Sequence, residues 1–178
     1  MRRFALTFTV ILSLLLTSCG GSAPPPAASE VLTPMLTAIT DTARPLPDGI
    51  LRLSSSPSDA PDCLTETFFS ALYGEAARGL LTAEEESGYR AVGDAALFLS
   101  VSAYPCELAV FRCSDTRAAA TVAGLCRSRL DTLVRGFAGS EWADVAAGGQ
   151  IAVEGCYVLM AVTEDPAAVL EAAIRCVR

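Results

Sequence analysis

The chain has 178 residues, thirteen basic and twenty acidic, and carries a formal charge of -7. Every basic residue is arginine; lysine, histidine and asparagine do not occur. Without histidine there is no Ser-His-Asp or Cys-His pair and no imidazole metal ligand, and without lysine there is no phosphate-binding P-loop lysine and no Schiff-base chemistry. An acidic chain also lacks the cationic surface on which sequence-independent nucleic-acid binding rests, so no nucleic-acid partner is expected.

The N-terminus has an ordered layout. Arg2 and Arg3 precede an apolar run from Phe4 to Leu16, interrupted only by Thr7, Thr9 and Ser13. The run is shorter than the roughly 20 residues a membrane-spanning helix needs, and its positive start suits a secretory signal peptide over residues 1–18. Its end, Leu16-Thr17-Ser18-Cys19, resembles the lipobox of bacterial lipoproteins. That resemblance implies a diacylglyceryl group on the Cys19 sulfur, cleavage before Cys19, and anchoring at the extracytoplasmic face of the cell membrane. Two acyl chains on one residue hold firmly where a single chain binds reversibly. Loss of Arg2 and Arg3 would take the mature charge to about -9. From Cys19 to Ser29 the chain reads CGGSAPPPAAS, a flexible Gly/Pro/Ala tether with a reach of roughly 30 Å.

Residues 30–178 are enough for one domain with a single core. Val31 to Thr42 places Val31, Leu32, Met35, Leu36 and Ile39 at helical spacing, and Pro45 and Pro47 end the pattern. A loop rich in proline, serine and aspartate follows, crossed by the apolar piece Ile50-Leu51-Arg52-Leu53. Leu64 to Tyr73 is amphipathic, with Gly74 as its stop, and Thr82 with Glu85 has capping-box spacing.

Beyond Gly93 the period changes to two. Leu97, Leu99 and Val101 alternate in one run, Leu108 and Val110 in the next. A tight turn at Tyr104-Pro105 predicts Val101 opposite Leu108 and Leu99 opposite Val110, all on one face. Ser114-Asp115 caps a helix over 116–137 whose stripe is Val122, Leu125, Cys126, Leu130, Leu133 and Phe137. A second hairpin runs from Ile151 through a turn at Glu154-Gly155 to Val162, with Val158 pointing inward. Asp165-Pro166 opens a last helix with Val169, Ala172, Ala173 and Cys176 on its apolar side. The expected fold class is α+β: N-terminal helices, then a ββαββα unit forming an antiparallel sheet with helices packed on one face.

The two hairpins carry a further likeness. Glu107-Leu108-Ala109-Val110-Phe111-Arg112, the helix after it, and Gly155-Cys156-Tyr157-Val158 through Glu164-Asp165 resemble the domain of unknown function numbered 4358, found in small lipoproteins of Gram-positive, clostridial-type bacteria. The likeness extends from about Leu32 to Val177. It implies a fold and a location, and transfers no activity, cofactor or site residue.

Candidate chemistry is sparse. Apart from Cys19 there are six cysteines, Cys63, Cys106, Cys113, Cys126, Cys156 and Cys176, which allow three disulfides in fifteen connectivities. Against that, Cys126, Cys156 and Cys176 fall on apolar faces, where a thiol behaves as a small hydrophobe. Cys106 and Cys113 end one predicted strand about 23 Å apart and project to opposite faces, so they cannot pair with each other. There is no Cys-x-x-Cys and no Asp-x-Asp calcium loop, so no metal or cofactor is expected. Glu84-Glu85-Glu86 splay around a helix and suit a solvated first turn. Arg127, Asp131 and Arg135 stand four apart, as i,i+4 contacts or as a stripe for an anionic partner. Trp142 offers an indole to a ligand or partner, or caps the core. Ser54-Ser55-Ser56 has neither a Gly-x-Ser-x-Gly context nor a base. Together these features favour a non-enzymatic ligand- or partner-binding or accessory module over an envelope enzyme using carboxylate or thiol chemistry.

Overall fold

The computed structural model describes residues 24–40, 46–74 and 88–178. The signal-peptide segment, Cys19, the Thr82–Glu85 capping box and the Glu84–Glu86 run lie outside the described residues. At the centre is one sheet of five strands: β1 (Gly49–Leu53), β2 (Val92–Ser100), β3 (Glu107–Cys113), β4 (Gln150–Glu154) and β5 (Tyr157–Val162). Their spatial order is β1-β2-β3-β5-β4, with every neighbouring pair antiparallel. The interior strands are apolar on both sides, and all six residues of β5 are buried. The edge strands β1 and β4 are partly exposed and polar-flanked.

Such strands need cover on both faces. On one face α1 (Ala28–Thr40) and the C-terminal α5 (Pro166–Val177) bury Val31, Leu32, Met35, Val169, Leu170 and Ala173 against Phe98, Leu108, Val110 and Leu159. On the other, the long α3 (Thr116–Phe137) joins a short helical segment, α2 (Glu66–Phe69) continued by a π turn (Ser70–Gly74). There Phe69, Tyr73, Val122, Leu125 and Cys126 pack on Leu97, Phe111, Val158 and Met160. The fold class is α+β with an antiparallel sheet, as expected, but the helices cover both faces and not one. The reason is stereochemical. Strand parity sends Phe98, Leu108 and Leu159 to the side opposite Leu97, Phe111 and Met160, and each such side chain is worth about 1.5–3 kcal/mol when buried.

The first hairpin differs from its predicted register. Leu97 pairs with Ala109 and Leu99 with Glu107, a shift of three residues, and an odd shift moves a side chain to the other face. The connection is longer than a tight turn because β2 ends at Ser100, and Val101, the expected partner of Leu108, lies in the loop and is 64% exposed. Ile50–Leu53, expected as a loop crossing, forms most of β1. The second hairpin turns at Gly155-Cys156, since Glu154 pairs with Tyr157, and Gly155 takes the left-handed φ of 57° that favours glycine.

Caps fix the helices. The Asp115 side chain accepts from the Ala118 N–H at 2.8 Å and that of Asp165 from the Ala168 N–H at 3.0 Å, with Pro166 at the first helical position. Cys176, expected on the apolar side of α5, is exposed. The inward stripe instead continues from Leu170 and Ala173 through Ile174 and Val177, which turns Cys176 outward.

Candidate functional site

Two polar clusters lie where the sheet meets its helices. The first is on the α3 side. Glu107 opens β3 and is 3% exposed. From α3, Arg129 donates through Nε to Oε1 at 3.2 Å and Oε2 at 3.0 Å, and through Nη2 to Oε2 at 2.7 Å. The Tyr73 hydroxyl, from the π turn, donates to Oε1 at 3.1 Å. Both carboxylate oxygens are thus engaged, in the two-pronged geometry that guanidinium favours. Burial, reinforced by the Glu107 charge, pushes the Tyr73 hydroxyl well above its ordinary pKa. Burial alone would lower Arg129, but the hydrogen bonds and the negative charge of Glu107 outweigh it and raise the pKa overall. Aromatic packing encloses the group: Tyr73 stacks on Phe69 at 5.0 Å between centroids and meets Phe111 edge-on at 5.4 Å. In this arrangement the carboxylate joins a helix to a strand, and it must break its pairing with Arg129 before it can act as a base.

The second cluster holds the N-terminal segment. The register of β2 shifts between Val92 and Asp94, an irregularity that re-aims the side chain after Gly93. Asp94, 9% exposed, accepts from the Ala28 N–H at 2.8 Å and from the Ser54 hydroxyl at 2.8 Å, with Arg112 Nη2 at 3.7 Å. Arg112 also donates to the Pro25 carbonyl at 3.3 Å, and its cross-strand partner Tyr157 donates its hydroxyl to the Pro26 carbonyl at 2.6 Å. The tether expected through residue 29 is therefore docked from Pro25 onward, and α1 begins at Ala28. Extended proline-rich backbone has unpaired carbonyls to offer, and the sheet end supplies the donors.

The residues singled out from sequence behave differently from one another. Trp142 precedes the short α4 (Ala143–Ala147) and packs edge-on against Tyr104, with centroids 5.1 Å apart. Arg127, Asp131 and Arg135 are exposed on α3. The expected i,i+4 pairs are not among the ion pairs of the described residues, and Arg135 donates to Thr132 Oγ1 at 3.2 Å. Ser54 serves structurally, since its hydroxyl accepts from the Ala95 N–H at 2.7 Å while donating to Asp94. All six cysteines outside the N-terminal segment are free thiols. Burial, with help from neighbouring negative groups, pushes Cys106 and Cys113 up to about 12 and Cys126 higher still, so at neutral pH these three are protonated and poorly nucleophilic. A shallow groove of about 430 Å³ between α1 and α5 is lined by Thr33, Pro34, Thr37, Ala38, Ala172 and Arg175.

Sequence reasoning missed Glu107, Arg129, Tyr73 and Asp94. A signal existed for Arg129, which continues the buried stripe of Val122, Leu125 and Cys126 three residues further on. A cation on an apolar stripe implies a buried anion. No family model, curated protein or solved structure matches the chain.

Proposed function

We propose that this protein is an extracytoplasmic lipoprotein, held at the outer face of the cell membrane by a diacylglyceryl group on Cys19. Its α+β domain serves as a non-enzymatic ligand- or partner-binding or accessory module. The observation that carries the reading is Leu16-Thr17-Ser18-Cys19 at the end of an apolar run begun by Arg2-Arg3.

Two structural features bear on the role. Pro25, the first among the described residues whose carbonyl is gripped by the domain, follows Cys19 by only six residues, about 20 Å of extended chain. In this reading the end of the sheet carrying Asp94, Arg112 and Tyr157 lies toward the membrane. Tyr104 and Trp142, on the loops at the opposite end, point toward the envelope as the partner surface, with Arg127 and Arg135 along the flank. The second feature is chemical: the buried thiols are protonated and the Glu107 carboxylate is tied to Arg129, which supports a binding role over thiol or carboxylate catalysis.

Metabolic labelling with a fatty acid, followed by membrane fractionation, tests the anchor. The expected result is label on the wild-type chain and none on Cys19→Ala, which stays an uncleaved precursor; label on the variant overturns the reading. Capture of partners from detergent-solubilised membranes then tests the module, with Trp142→Ala expected to lose what the wild type retains.

A further inference from the structure

Cys113 and Cys156 are joined by a backbone hydrogen bond one step beyond the last paired rung of β3 and β5. Arg112 pairs with Tyr157 across β3 and β5, so the next antiparallel rung sets Cys113 opposite Cys156, and the Cys113 N–H donates to the Cys156 carbonyl at 2.8 Å. Cys113 shares its face of the sheet with Phe111 and Val158, and Cys156 stands two residues before Val158, in the β4–β5 turn. Residues opposite one another at a hydrogen-bonded antiparallel rung have Cα atoms about 5.5 Å apart, inside the range of about 4.4–6.8 Å that a disulfide spans. The two side chains are near enough to interact: after burial, Cys156 is the next largest influence raising the pKa of Cys113.

We propose that Cys113 and Cys156 are a redox-active pair that closes into a reversible cross-strand disulfide. Cys156 lies in the β4–β5 turn and is half-buried, whereas Cys113 is 6% exposed, so Cys156 meets the oxidant first. The oxidant is a small-molecule or protein disulfide. The Cys156 thiolate attacks one of its sulfurs, a mixed disulfide forms, and the other half leaves as a thiolate that takes up a proton. Cys113, protonated at neutral pH, passes its proton to the departing sulfur as it attacks the Cys156 sulfur, and the second half leaves as a thiol. Burial of Cys113 makes this second step the slow one. Two protein thiols are oxidised and one external disulfide is reduced to two thiols. The new bond adjoins the Arg112–Tyr157 rung, whose side chains hold the Pro25 and Pro26 carbonyls. Oxidation therefore stiffens the sheet end that grips the N-terminal segment. The pairing does not depend on the lipoprotein reading, although an extracytoplasmic setting is where such a bond persists.

Equilibrating the purified full chain with oxidised glutathione, alkylating the remaining thiols and digesting with trypsin without reduction tests this directly. Arginines at 112, 117, 135 and 175 put the two cysteines in separate peptides, 113–117 and 136–175. The expected product is these two joined, lighter than their sum by two hydrogen atoms, formed by wild type and Cys106→Ser and lost in Cys156→Ser. A Cys113–Cys126 linkage, glutathione left on Cys156 as the final product, or both peptides recovered alkylated would each overturn the proposal.

Discussion

The Arg129 guanidinium closes on both oxygens of Glu107, reaching Oε2 from Nη2 at 2.7 Å, and so ties the middle of α3 to the first residue of β3. The side chains are 17% and 4% exposed. Because Tyr73 donates to the same carboxylate, three separate segments share one charge: the π turn, the strand and the long helix.

Arg129→Met should remove about 3–5 kcal/mol of stability, since Glu107 would remain buried without its counter-charge. That is a large share of the 5–15 kcal/mol typical of a domain. The double variant Glu107→Leu/Arg129→Met should recover much of the loss, because no charge is then left in the interior. Urea midpoints of the wild type, both single variants and the double form the cycle. A single Arg129→Met within 1 kcal/mol of wild type would show that Glu107 is solvated.

Asp94→Ala tests the docking of the N-terminal segment. The variant leaves the Ala28 N–H and the Ser54 hydroxyl without their acceptor, at about 1–3 kcal/mol for each group that water does not reach. Hydrogen exchange at the Ala28 amide should accelerate far more than exchange in β5, where all six residues are buried. Equal acceleration in both places would mean that Asp94 supports the whole fold and not this segment.

Much of this architecture was legible because local rules and tertiary packing agree. Asp115 and Asp165 are caps in the sequence and in the structure, and α3 ends at Phe137 as its stripe predicts. Val158 is fully buried, and Cys106 and Cys113 fall on opposite faces as strand parity requires. What failed depends on information that no short window holds. Leu97 and Leu99 alternate equally well in either register, and only the six-residue connection from Val101 to Cys106 decides between them. The second covered face is written in Ala96 and Phe98, between the leucines used to define the first, and in Leu108 and Val110, which the expected register placed on that first face. Arg129 reads as one more surface arginine until the strand carrying Glu107 is laid beneath it.

Gly49 marks where β1 crosses Phe98 too closely for any side chain. A Cβ built there would stand 2.3 Å from Phe98 Cζ and 2.8 Å from the Leu99 carbonyl oxygen. Gly49→Ala must therefore push the edge strand outward or drive the Phe98 ring from its place, at about 1–3 kcal/mol. Gly124→Ala, in α3 with nothing within 4 Å of its Cβ, should be neutral to stabilising by up to about 1 kcal/mol. Thermal midpoints of the two variants moving in the same direction by similar amounts would contradict the close approach at β1.

Alkaline pH should loosen the fold through its thiols. Cys106 and Cys113 stand at about 12 against an ordinary 9.0, because burial disfavours the thiolate and Glu107 beside Cys106 and Cys156 and Asp115 near Cys113 add to the effect. Between those values the unfolded chain has released protons that the folded chain still holds, so more protons are bound in the native state and stability falls as pH rises. The contribution is intact below about pH 9 and is lost progressively up to about pH 12, each thiol adding a slope of up to about 1.4 kcal/mol per pH unit. Tyr73, raised above its ordinary 10.0, acts in the same direction at the upper end. Urea unfolding under reducing conditions should therefore give a midpoint that falls from about pH 9 upward. Cys126, raised further still by burial, acts in the same direction. The fall should be shallower in Cys106→Ala, which removes one of these three thiols, and a midpoint that holds level to about pH 10.5 in the wild type would show that the thiols are solvated in the fold.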